Sequence, residues 1–504
     1  MLNRFRLLLA ASLLAGSCLP ARAQNASPPA PAVPPVDAAA TAPLTLEDCI
    51  RRALAHGFDI GIQRFNPAIA KDFIEIARGG FLPTLSLTGT QSHANTAAIG
   101  LIPGTRSDER SARLGLTDLL KTGATVSVTT GLDRSANNPA SISSLYNPAY
   151  NADLSVSISQ PLLRGAGVAI TTAALHRAKI GFELAGFNFK ARVLDIVQRT
   201  ENAYYTLVYA REQFDVYKFS LHLAETLLDE AQVRKTTGVA TEIDVLQAQV
   251  GVANARRNVL QAGESVQDSA DALLAIIGQF ELDAPLGAAK FDDFTGQLPV
   301  TESSYQLALR NQPDYLSSRR QLDQLQLDVD VAKNAVKPSL SVGGAVGFNG
   351  DKGSGYSAFS SAASRDNNNW QLNLTASYPW GAVSDKARYR QSFATLNQQT
   401  LVVRQLEQSI LVQVRSAVRA VETNSENVKI AALGAEYSAK QYDLERARFD
   451  AGLSTSRNVL QTQADLETAR VAELQARINL QNSISALHRL EGNALERYQI
   501  AMPE

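Results

Sequence analysis

Cysteine is nearly absent from the 504 residues, which carry only Cys18 and Cys49. Cys18 lies in an N-terminal stretch where Arg4 and Arg6 precede an apolar run from Leu7 to Ala15 and the small-residue site Ala21-Arg22-Ala23. That order reads as a secretory signal peptide over residues 1–23, with the exported chain continuing from Gln24. A competing cleavage before Cys18 would give a lipidated N-terminus, although Ala15-Gly16-Ser17 lacks the usual leading Leu. Once the peptide is removed Cys49 stands alone, so no intrachain disulfide can form and stability has to come from packing or assembly. Long apolar runs are missing beyond the leader, which excludes a bilayer-spanning helix there. No charge dominates: 48 Lys and Arg meet 49 Asp and Glu, and the dispersed basic residues argue against a nucleic-acid partner.

Site chemistry is equally sparse. His56, His93, His176, His222 and His488 are scattered without ligand spacing and read as core or surface residues rather than metal ligands. Gly165-Ala166-Gly167 is a fragment of a phosphate loop without its Lys or downstream acid, and reads as a turn. Asp328 and Asp330, two apart on a predicted helix, face different ways. With no nucleophile-and-base constellation, no enzyme activity, cofactor or metal site is expected.

What the chain does contain is repetition. The phrase Gly238-Val-Ala-Thr-Glu-Ile-Asp-Val-Leu-Gln returns as Gly452-Leu-Ser-Thr-Ser-Arg-Asn-Val-Leu-Gln, an offset of 214. A second gapless match, offset 255, pairs Glu47 with Glu302, Ala53 with Ala308, Asp59 with Asp314, Arg64 with Arg319, Pro83 with Pro338 and Gly89 with Gly344. The chain is therefore two copies of one unit, the first about 40 residues longer between the matched blocks. A Pro/Ala-rich leader over 24–43 precedes repeat 1 (44–298), which ends in a linker at 279–298; repeat 2 runs over 299–492 and a tail over 493–504.

Each unit has the same internal order. A helical segment ends at Pro83 or Pro338 and opens strands that alternate apolar residues with Ser, Thr, Asn or Gln, within 83–160 and 338–378. The first copy adds a candidate hairpin at Ala112 to Gly131. Long helices follow, at 170–236 and about 384–450, with return helices at 241–278 and 455–491. Val193, Ile196, Ala203, Leu207 and Ala210, like Ile410, Val414, Ala417 and Val421, keep heptad spacing, which predicts coiled-coil packing. The lengths allow each early helix and each return helix to stack end to end beside one long helix of ~100 Å. Pro67 should break or kink the first helix, where the matching Leu322 should not. Gly238 and Gly452 then supply the turns at the far tips, with Thr241 and Thr455 placed to cap the returning helices.

Period-two strands suit either a half-buried sheet or an outer-membrane barrel with a wet lumen; export and the Gly- and Asn-rich connector 348–369 favour the barrel. Four to six strands cannot close one, so several chains would have to share it. The doubled unit, the prolines before the first strands, Gln160-Pro161-Leu162-Leu163-Arg164-Gly165 and the tip pattern Arg-x-x-x-Gly-x-x-x-x-x-(Asp/Asn)-Val-Leu-Gln together resemble the TolC family of outer-membrane efflux and secretion ducts.

The resemblance implies a mixed α and β membrane protein that forms a homotrimer in the outer-membrane lipid. Four strands per chain would build a shared 12-stranded barrel, above a periplasmic α-helical tunnel docked to an adaptor and an inner-membrane pump for efflux or type I secretion. The hairpin at 112–131 departs from four strands and is either an outer loop or extra wall. By resemblance, Arg234, Gly238, Val239, Arg448, Gly452 and Leu453 match adaptor-contacting tips. Positions of the family's acidic aperture rings and links hold Asn458, Gln461, Phe449 and Ser454, while Glu242 and Asp244 offer acids in the first copy. Thr241 with Asp244 also has capping-box spacing. A periplasmic coiled-coil scaffold would explain the heptads without the strands, and a diffusion porin the strands without the long helices.

Overall fold

The computed structural model describes residues 44–97, 105–138, 146–278, 286–291, 298–365 and 367–498. The expected signal peptide and leader, most of the expected linker at 279–298 and the end of the tail lie outside them. In the first copy α1 (Leu46–His56), α2 (Phe58–Gln63) and α3 (Phe65–Gly79) lead into β1 (Thr84–Thr96), β2 (Thr105–Leu119), β3 (Thr125–Asn138) and β4 (Ala149–Pro161). A short α4 (Val168–Thr171) precedes the long α5 (Ala173–Thr236), and α6 (Glu242–Ile277) returns. The second copy comprises α7 (Thr301–Asn311), α8 (Pro313–Ala335), β5 (Ser339–Lys352), α9 (Gly355–Ser364), β6 (Asn368–Ser377), α10 (Val383–Asp450), α11 (Ser456–Glu491) and a short α12 (Ala494–Arg497).

The 64 residues of α5 and 68 of α10 correspond to roughly 96 and 102 Å of helix. α6, α1 and α3 pack along α5; α11, α7 and α8 pack along α10. The heptad residues Val193, Ile196, Leu207 and Ala210 are buried, as are Ile410, Val414 and Val421. End-to-end stacking depends on two left-handed glycines. A Cβ on Gly278 (φ 76°) would come within 2.4 Å of the His56 carbonyl oxygen, and one on Gly492 (φ 67°) within 2.9 Å of that of Asn311. Without side chains there, α6 meets α1 and α11 meets α7 directly. As expected of Pro67, the first helix is interrupted one turn before it, at Arg64 between α2 and α3. The chain turns at Gly57 and Arg64, and Pro67 is the third residue of α3, in a first turn where its missing N–H forfeits no helical bond. Leu322 lies within an uninterrupted α8.

The strands form one antiparallel sheet in the order β1-β2-β3-β4-β5-β6. The described residues form six strands, where the resemblance implied four from each chain. The hairpin expected at 112–131 is two full strands, β2 and β3, paired along their length with β1 and β4. Its turn is tied to the exit of the sheet: the Gln160 side-chain amide donates to the Thr122 carbonyl at 3.2 Å and the Gly167 N–H to the same oxygen at 3.3 Å. Register makes the hairpin part of this sheet. One row runs Leu85, Leu116, Val128, Val156, Val346, Trp370, an apolar residue from each strand. The adjacent row on the other face runs Ser86, Gly115, Thr129, Ser155, Gly347, Asn369. Alternation puts most of the aliphatic residues on one side and most of the hydroxyl and amide groups on the other.

Candidate functional site

The tips are built by one backbone device used twice. Gly238 (φ 78°) and Gly452 (φ 76°) adopt left-handed turns that close the ends of α5 and α10. The Val239 N–H donates to the Arg234 carbonyl at 2.8 Å and the Leu453 N–H to the Arg448 carbonyl at 2.8 Å. Each turn therefore pushes one apolar side chain out: Val239 is 76% exposed and Leu453 72%. Thr241 and Thr455 cap the returning helices, accepting from the N–H groups of Asp244 and Asn458.

The side chains of the two tips are not equivalent. Arg234 reaches across to the second hairpin, stacking 4.1 Å over the Phe449 ring, donating to the Phe449 carbonyl at 3.1 Å and lying 3.5 Å from Asp450. Its repeat counterpart, Arg448, pairs with Glu445 on its own helix at 3.1 Å. Phe449 is buried against Leu227 and Val459, so it packs between the hairpins of one chain. Asp244 completes a capping box, accepting from the Thr241 N–H at 2.9 Å and its hydroxyl at 2.7 Å, and takes a further bond from Ser456 at 3.2 Å. Those bonds, the Thr241 backbone N–H foremost, hold its carboxyl below the usual carboxylate range. Glu242 pairs with Lys235. Ser454 donates to Glu445 and accepts from the Asn458 amide at 3.3 Å, while Gln461 donates to Asp465 at 3.0 Å. Sequence reasoning missed Arg446, which bridges Glu230 of the first hairpin and Asp450 of its own helix, the latter at 3.7 Å. Its repeat-related position is Gln232, so the internal repeat carries no signal for it.

Gly165-Ala166-Gly167 lies at the joint between sheet and helices. The Gly165 N–H donates to the Asn334 side chain at 2.8 Å, and Arg164 pairs with Asp385 at 3.2 Å, tying the first copy to the second. Among the described residues, no cluster of three or more His, Cys, Asp and Glu could hold a metal ion, and no helix is long and apolar enough to cross a membrane.

Comparison with known proteins follows this architecture. The profile of the outer membrane efflux protein family matches residues 49–279 and 304–493. The pyoverdine export outer membrane protein OpmQ of Pseudomonas aeruginosa is 24% identical over 302 residues, covering 59% of this chain and 62% of OpmQ. The alignment thus spans about three-fifths of that relative's length. The outer-membrane channel OprN has a TM-score of 0.68 at 18% identity, covering 89% of each chain. The Campylobacter jejuni CmeC outer membrane channel has a TM-score of 0.65 at 17% identity, covering 89% of this chain and 85% of CmeC. At those identities the likeness is one of fold. Matched across both copies of its doubled unit, the chain belongs to the outer membrane efflux protein family.

Proposed function

We propose that the chain is one third of an outer-membrane export duct, a homotrimer whose barrel closes by β1 of each copy pairing with β6 of the next. The observation that carries this reading is a six-stranded sheet with one continuous apolar face and two edge strands, β1 and β6, paired on one side only. In hydrocarbon an unpaired edge leaves backbone groups without partners, and closure takes about eight strands, so one chain is insufficient. Exposed apolar stripes on the helices support the same assembly. Phe58, Ile62, Phe65, Ile69, Phe73 and Ile76 are exposed along α2 and α3, as are Ile430, Leu433, Tyr437 and Leu444 along α10. Neighbouring copies would cover these stripes. A scaffold leaves the apolar sheet face without a purpose, and a porin leaves the helices without one.

In this reading the tips meet a periplasmic adaptor of an inner-membrane pump through Val239 and Leu453, with Gly238 and Gly452 setting the turns and Arg448 flanking the second. Arg234 holds the two tips of a chain together. Glu242 and Asp244, repeated three-fold, would set six carboxylates near the aperture, with Asn458 and Gln461 as neutral counterparts; Ser454 and Phe449 then act within the chain. OpmQ, named for pyoverdine export, makes small-molecule export the cargo class to test. Membrane fractionation and mass measurement of the purified protein in detergent test the assembly. An outer-membrane trimer is expected, and a stable monomer with a closed, conducting barrel would overturn it.

A further inference from the structure

The aliphatic face of the sheet changes character at one register row. Gln91, Arg110, Arg134, Tyr150 and Lys352 are successive cross-strand partners from β1 to β5. They continue the alternation of Leu87, Leu114 and Leu154, and so lie on the apolar face, toward the end of the sheet remote from the helices. Arg134 lies 6.0 Å over the Tyr150 ring, and Arg365, just past α9, lies 5.8 Å over the Phe348 ring, which gathers a fourth cation on this face. Among the described residues none of Arg110, Arg134, Lys352 and Arg365 has a carboxylate partner. By contrast, Arg113 on the polar face pairs with Asp133 at 2.8 Å, and Asp108, one row further out, is taken by His93 and Arg106. Arg110 and Arg134 are directly opposed, an arrangement of like charges that destabilises a sheet unless an anion comes between them.

α9 sits at the same height. Ala358 and Ala362 pack on Ala152, and Gly350 admits them because a Cβ there would lie 2.1 Å from the Ala358 carbonyl oxygen. The helix leaves Tyr356 and Phe359 exposed. Aromatic side chains at the upper limit of an apolar band mark the hydrocarbon–headgroup boundary of a barrel.

We propose that this row binds the phosphate groups of an anionic, phosphorylated glycolipid of the outer leaflet, its acyl chains lying on the aliphatic band below. The proposal rests on the outer-membrane reading. Guanidinium groups bind phosphate in bidentate fashion, and the fit with the lipid is continuous: apolar residues meet chains, aromatics the boundary, cations the phosphates.

Lipid retention by the purified full-length protein tests it, with native mass spectrometry after delipidation and re-addition of diphosphoryl lipid A or its dephosphorylated form. The diphosphoryl lipid should be retained at least about tenfold more tightly, and Arg110→Gln with Arg134→Gln and Lys352→Gln should abolish that preference. Arg113→Gln, on the opposite face, should leave it intact, and Arg134→Lys alone should keep part of it. Equal retention of both lipids, or an unchanged preference in the triple variant, overturns the proposal. Displacement by millimolar inorganic phosphate would point to a free-anion site and overturn it too. Loss of folding in the triple variant leaves the comparison of the two lipids on the unaltered protein as the deciding measurement. Failure of the unaltered protein to reach the outer membrane would instead sink the duct reading beneath it.

Discussion

Individual residues in the helical core respond to pH in opposite directions. His488 lies on α11 with an Arg497 nitrogen 2.9 Å from its Nε2. Burial first, and the Arg497 charge second, push its pKa down to about 4. The unfolded chain therefore takes up this proton first, near the ordinary value of about 6.5. His488 withdraws stability as pH falls from that value toward about 4 and is without effect above it. Glu201 has the contrary sign: burial raises its carboxyl, against the lowering effect of hydrogen bonds from Ser485 and Tyr498, so acid partly offsets the loss. The thermal midpoint of the detergent-solubilised protein should fall between pH 7 and pH 4.5, and His488→Gln should remove much of that fall while leaving the pH 8 value nearly unchanged. An identical fall in the variant would assign the acid sensitivity elsewhere. Neither burial was legible in the sequence, because Glu201 lies far along the chain from Ser485, His488 and Tyr498. Cys49 shows the same limit: its solitude could be read, but not its burial, which pushes the thiol up to about 11 and leaves it unreactive.

Elements were more legible, since heptads, caps and glycine turns are local. Thr241 and Thr455 announce the returning helices, and the Gly238 and Gly452 turns expose Val239 and Leu453 in the same way. Val239→Asp with Leu453→Asp should therefore leave trimer level and thermal midpoint nearly unchanged, because neither side chain is buried in the chain. Transport should fall at least about tenfold if these residues enter an apolar contact with an adaptor, where an unpaired charge is costly. Cell-based export measured beside trimer abundance separates the outcomes; loss of the trimer would assign the residues a structural role. What the elements do to one another was hidden. Arg234 and Arg448 occupy equivalent repeat positions, yet Arg234 crosses to Phe449 while Arg448 stays with Glu445. The difference arises because the sequences around the two tips differ at Arg446 and Phe449.

For the whole molecule, in the duct reading, the number of strands would set the width of the exit. Three copies would supply eighteen strands, six from each, and a barrel's diameter grows roughly linearly with strand number. The mouth should be about 1.5-fold wider than that of a 12-stranded barrel over a helical tunnel built from two hairpins per chain. Electron cryomicroscopy of the trimer in lipid nanodiscs counts the strands directly. Eighteen are expected, with β1 and β6 of neighbouring copies paired; twelve, with β2 and β3 displaced from the wall, would refute the register-based assignment.

Local patterning alone determined the doubled unit, the mixed fold class, the alternation of the strands and the glycine-led tips, because each depends on residues a few positions apart. It did not decide between an outer loop and extra wall at 112–131. That hairpin's place depends on pairing with β1 and β4, and on Thr122 bonding to Gln160, 38 residues away. Only the tertiary structure aligned Arg110, Arg134 and Lys352 in one row, for the same reason. Register is a relation between strands, and a shift of one residue would have turned those cations to the other face.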